Sequence, residues 1–324
     1  MKNIASNENL INNFNKTKIN ITFLGGSVTA GYCKGEIIEN SYPNLLLKKL
    51  NSSFENKEFK KFNFGLSGTS SLIGLFYFEI YIKENFPDLI FLEYSINEAG
   101  DYIGANNFES LIRKINIFSP KTQIIIITLM TKEGYSAEEY MLEIANHHAI
   151  PLISIPTFLK NAIKKNMITW DEYSYDNGHP NKKGHDLIAD RILDYIKITL
   201  DSPILLQPKI EYPCFSFDLY NLKVLHSFNN FVFNKNEQNL CFEVCCKKIF
   251  IMFEVNNDLI YGKINITIDK SNKTVLDSYS IFGWKNPVVK QIFNNEITQN
   301  HNIHISLSND SKNKTFTILS IGYV

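Results

Sequence analysis

A serine hydroxyl, an imidazole and a carboxylate could together carry out nucleophilic catalysis in this chain. Ser27 follows two glycines in the stretch FLGGSVTAGY, and Asp176 precedes His179 by three residues in DNGHP. A serine hydroxyl becomes a good nucleophile when a neighbouring base takes its proton, and a histidine serves as that base when a carboxylate holds it in one tautomer. One short loop, closed by Gly178 and Pro180, could therefore carry both the base and its orienting group.

Two further residues could stabilise the negative charge that acyl transfer builds on a carbonyl oxygen. Gly65 in NFGLSG would offer a backbone N–H that a substrate can approach closely, and Asn97 in EYSINEAG would offer a side-chain amide. Each candidate could instead be structural: Ser27 could cap a helix, and Gly65 and Asn97 could stabilise turns. Asp176 and His179 could likewise belong to a simple helix-entry loop. Taken one at a time, these residues leave the choice open.

The other histidines and the cysteines give weaker signals. His185 could compete for the base role, but it falls inside a predicted helix, where a lone histidine is more often a packing or surface residue. The rest end a helix or lie in the C-terminal region without a carboxylate at a suggestive spacing: His147, His148, His226, His301 and His304. The five cysteines show no CxxC spacing, so the sequence predicts neither a disulfide framework nor a metal site.

These candidates would be positioned by alternating strands and helices between about residues 18 and 200. Short β-branched runs predict strands at 19–24, 60–64, 89–94, 123–129 and 151–155. Apolar residues at three- and four-residue spacing predict helices at 41–54, 106–118, 136–149, 157–166 and 181–200. The pattern is typical of an α/β fold in which a five-stranded parallel sheet has helices on both faces. Ligands bind at the carboxyl ends of such strands, where Ser27, Gly65 and Asn97 fall.

The pattern changes after the segment DSPILLQPK. Alternating sequences, such as KINITID at 263–269 and NIHISLS at 302–308, predict strands with one buried face, and polar turns separate them. We therefore predict a first domain over residues 1–203 and an all-β domain, a small sandwich, over residues 204–324. Pro203 and Pro208 mark the linker between them.

The composition of the chain argues against several classes of partner. Lys plus Arg and Asp plus Glu both number 33, so the net charge is zero and no basic footprint for nucleic acid is present. No segment reaches the roughly 18 apolar residues that a membrane helix needs, so we expect no integral membrane segment. The N-terminal stretch has no apolar core of signal-peptide length, which predicts a cytoplasmic protein. The sequence does not define an oligomeric state.

In order and spacing, the motifs resemble the four sequence blocks of the SGNH hydrolases, also called the GDSL-like lipase/acylhydrolase superfamily, over about residues 18–200. The blocks of that family supply in turn a serine, a glycine, an asparagine and an Asp-x-x-His. The resemblance implies Ser27 as nucleophile, His179 as base and Asp176 as its orienting group. It also implies an oxyanion hole formed by the backbone N–H groups of Ser27 and Gly65 and by the amide of Asn97.

Two positions depart from the family pattern. Gly26 stands where an aspartate usually precedes the serine, and Glu98 stands where an aspartate usually follows the asparagine. Neither position supplies the nucleophile or the base, so the resemblance still implies the same chemistry with a different local arrangement of the loops. The GGSVTAG form, together with PDLIFLEYSIN downstream, looks like the branch that often acts on acylated carbohydrates.

The resemblance implies a serine esterase that removes O-acyl groups, in the first place O-acetyl groups, from a carbohydrate or polysaccharide through an acyl-Ser27 intermediate. Hydrolysis would require no metal and no cofactor. An O-acetyltransferase would form the same intermediate, but it would need acetyl-CoA as co-substrate and would acetylate a capsular polysaccharide or lipopolysaccharide. The alternative from a different class is a non-catalytic protein that binds a glycan through its β domain.

Overall fold

The computed structural model describes residues 7–202, 214–215, 218–236 and 239–324. Its contacts divide the chain into two compact units, Met1–Tyr220 and Asn221–Val324. The predicted domain boundary, between residues 203 and 204, lies outside the described residues and stays a prediction. Among the described residues, no helix is both long enough and apolar enough to cross a membrane.

The N-terminal unit contains the five-stranded parallel sheet that the sequence predicts. The strands of this unit are β1 (Lys18–Gly25), β2 (Tyr32–Cys33), β3 (Glu36–Ile37), β4 (Glu58–Gly65), β5 (Leu89–Glu93), β6 (Gln123–Thr128) and β7 (Leu152–Ser154). β2 and β3 form a separate hairpin, and the other five pair in parallel in the order β4-β1-β5-β6-β7. β5 and β6 are buried along their whole length, as expected for a sheet covered on both faces. Each predicted strand is confirmed within two residues at either end.

Helices surround this sheet, and the five helices predicted from periodicity are confirmed as α3, α5, α6, α7 and α9. The helices of the unit are α1 (Glu8–Phe14), α2 (Ser27–Ala30), α3 (Tyr42–Ser53), α4 (Ser71–Tyr77), α5 (Tyr102–Phe118), α6 (Glu138–His147), α7 (Ile155–Lys164), α8 (Trp170–Tyr173) and α9 (Lys182–Asp201). The sequence pattern does not predict α1, α4 or α8. α8 has a single turn, while α4 is apolar on nearly every side and continues into a π-helical turn over Phe78–Ile82, so neither shows a clear period.

The core of the N-terminal unit holds the helix that follows the DNGHP loop. Ile188, Ile192 and Ile196 form a buried stripe on α9 that packs into the same apolar cluster as Phe23 of β1. The start of α9 is fixed by the Asn181 side chain, which accepts hydrogen bonds from two backbone N–H groups of the first turn. The loop before α9 is thereby anchored to a rigid helix.

The C-terminal unit is an antiparallel β-sheet domain, which confirms the all-β prediction. Its strands are β8 (Lys223–Val224), β9 (Phe231–Phe233), β10 (Asn239–Asn256), β11 (Lys263–Ile268), β12 (Asn272–Asp277), β13 (Trp284–Leu307) and β14 (Phe316–Tyr323). They hydrogen-bond into one sheet in the order β12-β11-β13-β10-β14-β8, with β9 also paired to β14. The pairing of β10 with β13 shifts register at three places, where bulges allow long strands to bend. Buried side chains from β9 to β14 form one apolar core.

Candidate active site

Ser27 lies at a tight turn between β1 and α2. The strand ends at Gly25, Gly26 forms the link, and the buried Ser27 is the first residue of the helix. The absence of a side chain at Gly26 is required here, because a Cβ would collide with the Asn97 amide nitrogen. The space beside Ser27 is therefore occupied by the Asn97 amide.

Asp176 and His179 lie together in the loop before α9. One carboxylate oxygen of Asp176, Oδ1, accepts the backbone N–H groups of Gly178 and His179 at 2.9 and 2.7 Å, and the other, Oδ2, lies 2.9 Å from His179 Nδ1. Burial opposes ionisation of this carboxyl. The hydrogen bonds from His179 and Gly178 outweigh it and hold the pKa of Asp176 below its usual range. The imidazole is therefore held with Nδ1 protonated and Nε2 free to accept a proton.

The structure brings the serine and this imidazole together. His179 Nε2 lies 3.0 Å from Ser27 Oγ, although the two residues are 152 positions apart in the chain. Hydrogen-bond reach is the geometric condition for general-base activation of a serine. Ser27, His179 and Asp176 therefore form a continuous hydrogen-bonded row at the carboxyl end of β1.

Two aromatic residues that the sequence does not single out for this role hold the base in place. The ring of Tyr32, in the β2–β3 hairpin, meets the His179 ring edge to face with a centroid distance of 4.6 Å. The Trp170 indole N–H donates a 2.9 Å hydrogen bond to the backbone oxygen of Asp176. The contact of Tyr32 leaves no signal in residue spacing, because it joins segments that are distant in sequence.

Asn97 has the properties expected of an oxyanion donor. Its amide nitrogen, Nδ2, is buried and has no hydrogen-bond partner among the described residues. A buried donor without a partner costs free energy, so its presence beside the Ser27 turn requires an explanation. An acyl oxygen that develops negative charge would supply the missing acceptor. The Ser27 N–H is the first of α2, and such N–H groups have no acceptor within their helix.

The prediction that Gly65 supplies a free N–H is corrected by the structure. The N–H of Gly65 donates to Asn63 Oδ1 at 2.9 Å, so it is already engaged. Glycine is needed here for packing, because a Cβ would collide with the backbone of Ala30 in α2. Gly68, three residues later, has a φ of +70° and an N–H without an acceptor among the described residues. The motif NFGLSG contains both glycines, and spacing alone does not distinguish their roles.

Glu98, the second departure from the family pattern, connects the Asn97 loop to α4. Its Oε2 accepts a 2.8 Å hydrogen bond from the backbone N–H of Ser71 at the start of that helix. Its backbone oxygen accepts a hydrogen bond from the Tyr135 hydroxyl. Burial raises the pKa of the Glu98 carboxyl to about 7. Glu98 therefore connects the loop that carries Asn97 to α4 and to Tyr135 by hydrogen bonds.

His185 does not share the site as a second base. It is fully buried, and its Nδ1 accepts a 3.1 Å hydrogen bond from the backbone N–H of Tyr42. Burial lowers the pKa of His185 to about 4, so its imidazole is neutral near pH 7. The interpretation of His185 as a packing residue agrees with this position.

A group of metal-ligand residue types occurs elsewhere in the N-terminal unit. Ligand atoms of Glu109, His147 and Cys214 lie within 4.8 Å of one another, a proximity that the sequence spacing did not predict. The Glu109 carboxylate is already engaged, since it accepts hydrogen bonds from His148 Nε2 and from the backbone N–H groups of Cys214 and Phe215, each at 2.7 Å. These contacts give the group a structural role, which is to hold residues 214–215 against α5 and α6.

Comparison with known proteins agrees with the predicted family and with the fold. The sequence pattern of the GDSL-like Lipase/Acylhydrolase family matches residues 23–187, which is just over half of the chain. The protein belongs to this family, as the four motifs predict, and it is therefore an enzyme of the SGNH hydrolase type. No curated protein sequence matches it.

The fold of the whole chain is similar to that of a two-domain esterase (CEX) active on acetylated mannans. The crystal structure of that esterase with mannopentaose shares 19% sequence identity, with a TM-score of 0.80 and coverage of 99% of this chain and 97% of the esterase chain. A second crystal structure of such an esterase gives a TM-score of 0.79 at the same identity and coverage. At this level of identity the likeness shows the fold alone.

Proposed function

We propose that the protein is a serine esterase that removes O-acyl groups, in the first place O-acetyl groups, from a carbohydrate. The observation that carries this proposal is the row of hydrogen bonds from Ser27 Oγ to His179 Nε2 and from His179 Nδ1 to Asp176. Membership of the acylhydrolase family supports the reaction class. The shared fold with an esterase active on acetylated mannans supports a carbohydrate substrate.

The first half of the reaction forms an acyl-enzyme. His179 Nε2 takes the proton of the Ser27 hydroxyl while Oγ attacks the ester carbonyl carbon. Negative charge then develops on the carbonyl oxygen, where the Asn97 amide, the Ser27 N–H and the Gly68 N–H can donate hydrogen bonds. The C–O bond to the sugar breaks, and the sugar oxygen leaves with the proton held by His179.

The second half of the reaction restores the enzyme. His179 removes a proton from water, and the resulting hydroxide equivalent attacks the acyl carbon on Ser27. The bond to Oγ breaks, Oγ recovers its proton from His179, and acetate is released. Asp176 remains ionised throughout and stabilises the transient imidazolium, in keeping with the lowered pKa of its carboxyl.

Hydrolysis of p-nitrophenyl acetate and of acetylated manno-oligosaccharides by wild type and Ser27→Ala tests the proposal. We expect wild type to release acetate from both substrates and Ser27→Ala to release none above background. Ser53→Ala, at an exposed position in α3, is a matched control that should retain wild-type rates. Equal rates in wild type and Ser27→Ala, or no turnover by either, would favour the non-catalytic glycan-binding protein.

An acyl-Ser27 intermediate could also pass its acetyl group to a sugar hydroxyl, as in the O-acetyltransferase alternative. Labelled acetyl-CoA incubated with enzyme and deacetylated glycans distinguishes the two reactions. If the protein is an esterase, we expect no label in the glycan. Label in the glycan would show that the protein is an acetyltransferase and would contradict the esterase proposal. The cytoplasmic location stays a prediction.

The C-terminal unit has a surface suited to contact with the glycan. Phe282 and Trp284 are 76% and 56% exposed in and beside the loop before β13, and exposed aromatic faces can stack on sugars. We expect Phe282→Ala and Trp284→Ala to raise KM for acetylated polysaccharide and to leave p-nitrophenyl acetate hydrolysis unchanged. Ile297→Ala, which removes a side chain that is 68% exposed on β13, is the matched control. An unchanged KM in both aromatic variants would refute this role.

A further inference from the structure

A buried carboxyl group lies directly beneath the turn that carries Ser27. Glu93, the last residue of β5, is fully buried, and its backbone oxygen accepts a 3.1 Å hydrogen bond from Gly26 N. Its side-chain Oε2 accepts a second hydrogen bond, of 2.9 Å, from the Thr29 hydroxyl. Glu93 therefore holds both ends of the turn over residues 26–29, which we call the nucleophile turn: it contacts Gly26 before Ser27 and Thr29 after it.

The hydrogen-bond chain continues from Thr29 to Tyr42 at the start of α3. The Tyr42 hydroxyl lies 2.8 Å from Thr29 Oγ1. Either hydroxyl can be the donor in this contact. All three side chains are fully buried, so water does not compete for these hydrogen bonds. The three side chains are thus linked by hydrogen bonds from Tyr42 through Thr29 to Glu93.

Gly25 shows how tightly this chain packs under the turn. A Cβ at this position would collide with Thr29 Oγ1 and would lie 2.5 Å from the backbone oxygen of Glu93. Only glycine therefore allows the Thr29 hydroxyl to reach the carboxyl group. If the hydroxyl were removed, the turn would lose the hydrogen bond between Thr29 and Glu93 and would keep only the one from Gly26 N to the Glu93 backbone oxygen.

Glu93 is a poor choice for stability alone. Burial raises the pKa of its carboxyl to about 8, so the group is mostly neutral near pH 7. Its second oxygen, Oε1, is buried without a partner among the described residues, which costs free energy. An apolar side chain would fill the same space without that cost. The stability of the fold therefore does not explain why residue 93 is a glutamate, but a role in holding the turn that carries Ser27 does.

We propose that Glu93, Thr29 and Tyr42 are positioning residues for Ser27: their hydrogen-bond chain fixes the nucleophile turn so that Ser27 Oγ stays within reach of His179 Nε2. This inference rests on the proposed esterase function. Loss of the chain should lower kcat and leave KM nearly unchanged, because the substrate is bound by other groups. A misplacement of about 1 Å in a reacting group can cost about a hundredfold in rate.

Paired substitutions at Thr29 and Glu93 test the proposal with p-nitrophenyl acetate as substrate. We expect Thr29→Val to lower kcat by about 10- to 100-fold with KM within about twofold, and Thr29→Ser to retain most of kcat. Glu93→Gln, which keeps the accepting oxygen, should likewise retain far more activity than Glu93→Leu. Thr128→Val is the matched control. The buried Thr128 hydroxyl donates a similar 2.8 Å hydrogen bond to Glu138, and neither residue takes part in the hydrogen bonds among Tyr42, Thr29 and Glu93. Thr128→Val should keep wild-type kcat.

The rate at which a fluorophosphonate labels Ser27 gives a second readout. This rate reports the reactivity of the Ser27 hydroxyl and does not depend on the binding of a sugar. We expect slower labelling in Thr29→Val and normal labelling in Thr29→Ser. If wild type neither turns over ester nor becomes labelled, the proposed function fails. If wild type is active but Thr29→Val matches it, or if Thr29→Val and Thr128→Val lose activity equally, the positioning role is overturned. Should Thr29→Val fail to fold, Tyr42→Phe carries the same expectation.

Discussion

Among the described residues, each unit contains a histidine–aspartate pair, and the two pairs share their local chemistry. In the N-terminal unit His179 Nδ1 lies 2.9 Å from Asp176, and in the C-terminal unit His301 Nδ1 lies 2.5 Å from Asp269. The other oxygen of each aspartate accepts backbone N–H groups, from Gly178 and His179 in one unit and from Asn302 in the other. In each pair, the pKa of the aspartate is held below its usual range.

The second ring nitrogen separates the two pairs. His179 Nε2 meets the Ser27 hydroxyl at 3.0 Å, and the His179 side chain is 28% exposed. His301 is fully buried, its Nε2 has no partner among the described residues, and its ring packs 4.3 Å from the ring of Phe293. A histidine–aspartate pair is thus a candidate general base only where its free nitrogen meets a nucleophile that a substrate can reach.

The largest effect expected from this comparison is the loss of His179. His179→Ala should lower kcat for p-nitrophenyl acetate by about 10³-fold or more, because the Ser27 hydroxyl loses its base. His304→Ala, at an exposed position of β13 in the unit that carries the other pair, is the control and should retain kcat. Steady-state kinetics on both variants checks the prediction. If the kcat of His179→Ala lies within tenfold of the wild-type value, His179 is not the base, and the two histidine–aspartate pairs do not differ in function.

The two aspartates allow the same comparison with one isosteric change. Asp176→Asn should lower kcat by about a hundredfold or more, because the amide favours the wrong tautomer of His179. Asp269→Asn should leave kcat at the wild-type level, because His301 meets no nucleophile. The ratio of the two kcat values measures the difference directly. Similar kcat values for Asp176→Asn and Asp269→Asn would contradict the assignment.

The sequence predicts the first pair and not the second, for a physical reason. Asp176 and His179 are three residues apart, so a single loop brings them together and the motif DNGHP is visible in the chain. Asp269 and His301 are 32 residues apart, and they meet only because β11 pairs with β13 in a particular register. The strands themselves are predictable from alternation, but the register between distant strands is not.

The same limit applies within the nucleophile site. Ser27, Asn97 and the five parallel strands follow from local patterns and from the family motifs. The engaged N–H of Gly65 does not, because it depends on where the Asn63 side chain points. Glu93 is equally hidden: in the sequence it is the polar end of an apolar strand, and only the packing of Thr29 beneath the turn reveals its contact.

The buried carboxyl groups of the N-terminal unit and Asp269 of the C-terminal unit should contribute to the pH dependence of stability with opposite signs. Burial raises the pKa of Glu93 from 4.5 to about 8 and that of Glu98 to about 7. Between pH 4.5 and 8 these two groups ionise in the unfolded chain and stay largely neutral in the folded unit. Their contribution to the free energy of unfolding therefore falls as pH rises, by an amount on the order of a few kcal/mol. Urea unfolding followed by Trp170 in a Trp284→Phe background reports on the N-terminal unit.

Glu93→Gln provides the control for this effect, because it removes one titrating group and keeps its shape. The slope of the free energy of unfolding against pH should become less negative in Glu93→Gln than in wild type across the same range. A slope that Glu93→Gln leaves unchanged would show that the buried carboxyl is not neutral in the folded state.

The smallest effect concerns acid stability of the C-terminal unit. The hydrogen bond from His301 lowers the pKa of Asp269, so this pair stabilises the fold above the unfolded pKa of an aspartate, and the stabilisation is lost as pH falls through the lowered folded value. Asp269→Asn should therefore lower stability at pH 6 and make it less sensitive to acid. Trp284 fluorescence in a Trp170→Phe background follows this unit. If Asp269→Asn retains the acid sensitivity of wild type, the His301–Asp269 pair does not contribute to the stability of its unit, and the contrast with the catalytic pair rests on Nε2 alone.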